Sequence, residues 1–268
     1  MNTVVIAGVG LIGGSFALAL RKAQFTGRIV GVSSAATIAK ARAAGVIDEA
    51  LPLTEAAAQA DLIYLAQPIQ QILDTLGSID RHTRPGTLIT DAGSTKQMIC
   101  AHAAANVMKA RFVGGHPMAG KESRGVETAD ADLFRGRPYV LTSREPQLET
   151  WIEAIGARLV ILDPAEHDRL VALVSHLPQL LSTALAGVIA EQPGAGKVAG
   201  PAAGDLTRLA LSPYEIWRDI FSTNAASIDV VLSAYISRLE SLRLQLRSPE
   251  MERVFHAAAA AARELRKP

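Results

Sequence analysis

Three features of the sequence predict an α/β fold in two unequal parts. Short β-branched runs alternate with helix-like segments up to about residue 163, a glycine-rich turn follows the first of these runs, and from residue 164 strand-like alternation gives way to long helical stretches rich in Ala and Leu. Alternation of the first kind is the pattern of a parallel sheet covered by helices on both faces. The 268 residues also exceed the usual single domain of about 100–150 residues. The expected division is a nucleotide-binding α/β domain over 1–163 and an all-α domain over 164–268.

Strands are expected at 3–7, 28–33, 61–66, 86–91, 111–115, 137–142 and 158–162. The first, Thr3-Val4-Val5-Ile6-Ala7, runs into Gly8-Val9-Gly10-Leu11-Ile12-Gly13 and then into a helix from Ser15 to Lys22. In that order the first glycine permits the tight turn, the second lets backbone approach a pyrophosphate, and the third lets helix pack on strand. The helix N-terminus then attracts the anion with its N–H groups and dipole. The N-terminal part therefore reads as a Rossmann dinucleotide-binding domain, with Gly8, Gly10, Leu11, Ile12 and Gly13 against the cofactor.

The second strand ends in Gly31-Val32-Ser33-Ser34, about 20 residues beyond the turn, where an NAD-selective site usually places a carboxylate on the ribose. No carboxylate stands there. Ser33, Ser34 and Thr37 are able to donate to a 2′-phosphate, Lys40 follows one helical turn on, and no arginine is at hand, so the cofactor is expected to be NAD or NADP. Gln67-Pro68, Asp91 to Lys96 and His116 follow later strands. In open α/β sheets the carboxyl ends of strands line one crevice, so these residues should meet, Pro68 among the cofactor contacts.

In the second part, Asp163-Pro164 reads as an N-cap with proline at the first helical position, opening a helix to about Glu191. Gln192 to Gly196 is a loop. Ser212-Pro213-Tyr214-Glu215 has capping-box spacing and should open a helix carrying Trp217 and Arg218. Ile228, Val231, Leu232, Tyr235, Ile236, Leu239, Leu242 and Leu246 recur every three or four residues, so one face of a long helix is apolar. That stripe must be covered, by the same chain or by a second copy.

Composition narrows the partners. With 27 basic against 26 acidic residues nothing favours nucleic acid or an anionic membrane. A single Cys100 excludes a disulfide framework and a multi-cysteine zinc site, and no metal is expected. There is no leader-like N-terminus, and no apolar run reaches the ~18 residues of a membrane span. A cytoplasmic protein acting on a small molecule is the expectation.

Three polar groups in the expected crevice carry chemistry. Ser94, in Asp91-Ala92-Gly93-Ser94-Thr95-Lys96, either binds a ligand or caps the next helix. His116 lies in Gly114-Gly115-His116-Pro117-Met118-Ala119-Gly120, a rigid turn at a strand end. His176, in Ser175-His176-Leu177-Pro178, either satisfies a buried partner or faces the cleft.

Together with Gly-Val-Gly-Leu-Ile-Gly-Gly-Ser at 8–15, Leu-Phe-x-Gly at 133–136, His-Asp-Arg at 167–169, Thr-Arg-Leu-Ala at 207–210 and Trp-Arg-Asp-Ile at 217–220, these motifs resemble the prephenate/arogenate dehydrogenase family of tyrosine biosynthesis. The resemblance implies oxidative decarboxylation of prephenate to 4-hydroxyphenylpyruvate, or of arogenate to tyrosine, with hydride transfer to NAD(P)+. It implies His116 as the base for the C4 hydroxyl, Ser94 beside it, Arg208 as a fork for a substrate carboxylate, and His176 orienting substrate from the second domain. The apolar stripe is expected to pair two copies in a homodimer through the helical domain, and no fused mutase or regulatory domain is expected in a chain of this length. Arg124 departs from the small residue expected there, and Pro201 to Asp205 replace a more aromatic stretch before Arg208.

Two other readings compete. A hydroxyisobutyrate-type dehydrogenase would work through a lysine of the helical part, which offers only Lys197 and Lys267. A non-catalytic nicotinamide-sensing module would need the glycine turn without Ser94, His116 and Arg208 together.

Overall fold

The computed structural model describes residues 1–121 and 123–266, so Lys267 lies outside the described residues. In chain order the N-terminal half runs β1 (Thr3–Ala7), α1 (Leu11–Lys22), β2 (Arg28–Val32), α2 (Ala35–Ala43), β3 (Glu49–Ala50), α3 (Leu53–Ala57), β4 (Leu62–Leu65), α4 (Ile69–Ile79), β5 (Leu88–Asp91), α5 (Gln97–Asn106) and β6 (Arg111–Val113). The six strands form one parallel sheet in the order β3-β2-β1-β4-β5-β6. The order reverses between β1 and β4, and a crevice opens there at the carboxyl ends of the strands. Strands β1 and β4 are buried on both faces, and the Rossmann class follows from this sheet.

The last two expected strands do not extend that sheet, and the end of the expected strand 111–115 leaves it. β7 (Gly115–Pro117), β8 (Pro138–Leu141) and β9 (Arg158–Ile161) form a separate three-stranded sheet in which β7 runs antiparallel to β8. The expected strand 111–115 is thus split at Gly114. There the Asp91 carboxylate takes the Gly115 N–H at 3.1 Å, and the Thr142 hydroxyl takes that of Gly114 at 3.0 Å. Side chains accept what the neighbouring strand would have accepted, so the chain turns away and carries His116 over the crevice. The two-residue β3 was not expected from the sequence.

After α6 (Pro146–Ala154) and β9 the chain is helical: α7 (Pro164–Val171), α8 (Leu177–Ala190), α9 (Pro201–Thr207), α10 (Tyr214–Thr223), α11 (Ala225–Leu244) and α12 (Glu250–Glu264). The Asp163 carboxylate accepts from the N–H groups of Ala165 and Glu166, both at 3.0 Å, as an N-cap. The single helix expected over 164–191 is interrupted by a π turn, Ala172–His176. Pro178 lacks an N–H and its ring crowds the carbonyl four residues back, which the wider turn accommodates. Within the run Pro164–Ala190 an 18-residue window has mean hydropathy 1.5, long and apolar enough to cross a membrane by length and composition.

Candidate active site

The crevice holds two adjoining hollows of about 410 and 560 Å³ that share Leu11, Ile12, Ser94, Lys121, Ile216 and Ile220. The first lies over the glycine turn and includes Gly10 and Pro68; the second contains His116 and Arg208. The wall facing the sheet comes from α10, so both halves of the chain build the site.

The glycine turn suits a pyrophosphate for a steric reason. A Cβ at Gly10 would meet nothing within 4 Å, so the bare backbone leaves an open cradle. Gly8, at φ +94°, has the Ala66 carbonyl oxygen 2.4 Å from where a Cβ would stand, and at Gly13 a Cβ would fall 2.1 Å from the Gly8 oxygen. Gly10, Leu11 and Ile12 therefore face the cleft, while Gly8 and Gly13 serve the packing that shapes it. At the end of β2, Ser33 and Ser34 are exposed and line neither hollow. The Ser34 hydroxyl caps α2 by accepting the Thr37 N–H at 3.3 Å, and Lys40 is ion-paired with Glu127.

Ser94 does not cap the helix after β5, which begins only at Gln97. That cap arrives from α7: Asp168 accepts from the N–H groups of Lys96 at 2.7 Å and Gln97 at 3.0 Å. Ser94 is left lining both hollows.

Behind the cleft wall a buried relay begins at His116, which keeps 9% of its surface open. Its Nδ1 lies 2.8 Å from His167 Nε2, and His167 Nδ1 lies 2.7 Å from Asp168 Oδ1. The carboxylate accepts the His167 Nδ1–H, so His167 Nε2 is an acceptor for the His116 Nδ1–H. His116 Nε2 then keeps its lone pair. Burial, then His167 and the Lys96 ammonium, hold His116 well below the usual histidine range, so the ring is neutral.

Lys96 is itself fully buried, paired with Asp91 and donating to the Gly115 carbonyl at 2.7 Å, which fixes the strand that carries His116. Lys96, His167 and Asp168 fall within sequence motifs that by themselves point to no role for them.

His176 is placed differently from the other proposed substrate contacts. It is 1% exposed, does not line the cleft, packs edge-on against Trp217 with ring centres 6.0 Å apart, and lies 3.4 Å from the Asn224 amide. Burial pushes it down to about 4, against the opposing pull of Asp168. Of the two possibilities open in the sequence, the buried one describes its surroundings.

The expected capping box at 212–215 does not form. α10 starts at Tyr214 after Pro213, the Ser212 hydroxyl accepts the Trp217 indole N–H at 2.9 Å, and Glu215 faces Arg124 across the cofactor hollow at 3.7 Å. Arg218 is ion-paired with Asp219 at 3.0 Å and lines neither hollow.

Residues 16–166 match the family described as prephenate dehydrogenase, nucleotide-binding domain, and residues 163–259 match prephenate dehydrogenase, dimerization domain. The chain belongs to the prephenate dehydrogenase family. It is 34% identical over 263 residues to the prephenate dehydrogenase of Lactococcus lactis subsp. cremoris, covering 96% of this chain and 74% of that one. Among solved structures it is similar to Aquifex aeolicus prephenate dehydrogenase in complex with hydroxyphenyl propionate and NAD+. That likeness has a TM-score of 0.90 and 29% identity, over 99% of this chain and 98% of that one. Synechocystis arogenate dehydrogenase is similar at a TM-score of 0.85 and 30% identity, over 98% and 99%. The family matches make residues 16–166, which begin just after the glycine turn, a nucleotide-binding domain and residues 163–259 of the helical half a dimerization domain.

Proposed function

We propose that the protein is a nicotinamide-dependent prephenate dehydrogenase that converts prephenate, with loss of CO2, into 4-hydroxyphenylpyruvate. The observation that carries this reading is the His116–His167–Asp168 relay opening into a cleft continuous with a dinucleotide turn. The nicotinamide, when bound, supplies the acceptor for a hydride. Gly10, Leu11, Ile12 and Pro68 would hold the dinucleotide. With Ser34 taken up as a cap and Lys40 tied to Glu127, two of the groups available to a 2′-phosphate are engaged, which favours NAD over NADP.

The residues of the chain account for the rest. Loss of hydride from C4 makes the C4 hydroxyl oxygen electron-poor. His116 Nε2 takes the hydroxyl proton, and the Asp168 carboxylate stabilises the resulting charge through His167. Ser94 hydrogen-bonds the same hydroxyl. Arg208 grips a substrate carboxylate through its two-donor fork. The C1–carboxylate bond then breaks with loss of CO2, its electron pair completes the aromatic ring, and His116 returns the proton to the phenolate oxygen that results. Ile216 and Trp217 supply apolar walls that keep water from the ring. His176 acts indirectly, by supporting Trp217. The helical half pairs with a second copy in a cytoplasmic homodimer.

Absorbance of the reduced nicotinamide, followed with prephenate or arogenate and NAD+ or NADP+, tests the activity. His116→Asn is expected to remain folded and lower kcat by about 10²–10⁴-fold, the span of general-base catalysis. Full turnover by that variant overturns the base, and silence of the wild type with all four combinations overturns the enzyme.

A further inference from the structure

Gln179, in the first turn of α8, lines the hollow that holds His116 and Arg208 and is 4% exposed. Its Nε2 donates to the Leu209 carbonyl at 2.9 Å and to the Thr183 hydroxyl at 3.3 Å. Thr183 spends its own hydrogen on the Gln179 main-chain carbonyl at 2.9 Å. Both amide hydrogens are therefore placed, and a carbonyl partner does not allow the amide to be reversed. The side chain offers the hollow an acceptor, Oε1, and no donor. Its anchor is the backbone of the residue that follows Arg208, which sets Oε1 at the carboxylate end of the cleft.

In a side chain bearing a carboxylate, the α-substituent is one bond from the carboxyl carbon. An α-ammonium carries only donors there and an α-keto oxygen only lone pairs. An acceptor fixed beside the carboxylate fork gains a charge-assisted bond from the first and faces lone pairs of the second. We propose that Gln179 Oε1 reads the α-substituent of the substrate and admits the α-amino cyclohexadiene acid, arogenate, alongside the α-keto acid. This rests on the dehydrogenase reading above.

The test is the ratio of kcat/KM for arogenate to that for prephenate, in which losses common to both substrates cancel. Gln179→Leu removes the acceptor and is expected to lower the ratio about tenfold; Gln179→Glu puts a charge there and is expected to raise it by a similar factor. Both variants lose the bond to Leu209, so a merely structural role would move the ratio in neither direction or in the same one. Opposite shifts support the proposal. Turnover with a ratio unmoved, or moved alike in both variants, overturns it and leaves the dehydrogenase intact. A wild type inert toward both acids overturns the dehydrogenase and this proposal with it.

Discussion

His116 is useful as a base because its neighbours keep it unprotonated. Burial, His167 and Lys96 all depress its affinity for a proton, and a general base works in the deprotonated form. The acid limb of the kcat/KM profile is therefore expected below pH 6.5; a limb centred at 7 or above would contradict the relay. The same sign governs stability. His116 and His176 bind protons less readily folded than unfolded, so their contribution is complete above about 6.5, the ordinary histidine value, and is lost as pH falls, for His176 until about 4. Melting temperature should fall over that window. His116 and Ser94 were legible in the sequence because strand ends in an α/β sheet define a crevice. His167 and Asp168 were not, since two adjacent polar residues on a helix read as solvated surface until the helix is docked on α5. Gln179 was hidden for the same reason: its orientation is set by the Leu209 carbonyl, 30 residues away in sequence.

At the scale of elements, hydrophobic runs and caps placed five of the six strands of the larger sheet and the start of α7. They missed the split at Gly114 and the π turn, because both arise where a side chain or a proline changes the local hydrogen-bonding partner. The π turn matters for register. It sits between the pair His167–Asp168 and Gln179, and its extra residue sets the rotation of one relative to the other. Deleting Leu173, which is exposed, is expected to restore an α-helical register with helicity by circular dichroism retained. kcat/KM should fall by at least about a hundredfold, the cost of misplacing groups that act together. Near-normal activity in that variant would show that the turn has no positioning role.

At the scale of the molecule, the apolar surface is unevenly spread. Among the described residues, 15 of the 17 large hydrophobic side chains left exposed lie beyond residue 163, among them Val188, Val230, Ile236, Leu239 and Phe255. The stripe read along α11 is buried within the chain only at Ile228. Such an uncovered face, in a half that matches a dimerization domain, calls for a second copy. The protein should sediment as a dimer at micromolar concentration. Ile236→Asp combined with Leu239→Asp should give a folded monomer, since each apolar side chain withdrawn from water contributes about 1.5–3 kcal/mol. A wild type that is monomeric under these conditions would overturn the homodimer.

The docking of Asp168 on the first turn of α5 bears on how such proteins exchange parts. α7 follows the last strand and looks like the first piece of the helical half, yet its His167 and Asp168 complete a relay that begins on β7 and cap a helix of the nucleotide-binding half. A recombination event between two relatives that joined them at 163/164 would pair a base with a foreign orienting carboxylate. A crossover within the π turn would pass the relay on intact. The natural seam for inheriting or engineering substrate preference therefore lies after Val171, about one helix later than the seam suggested by secondary structure.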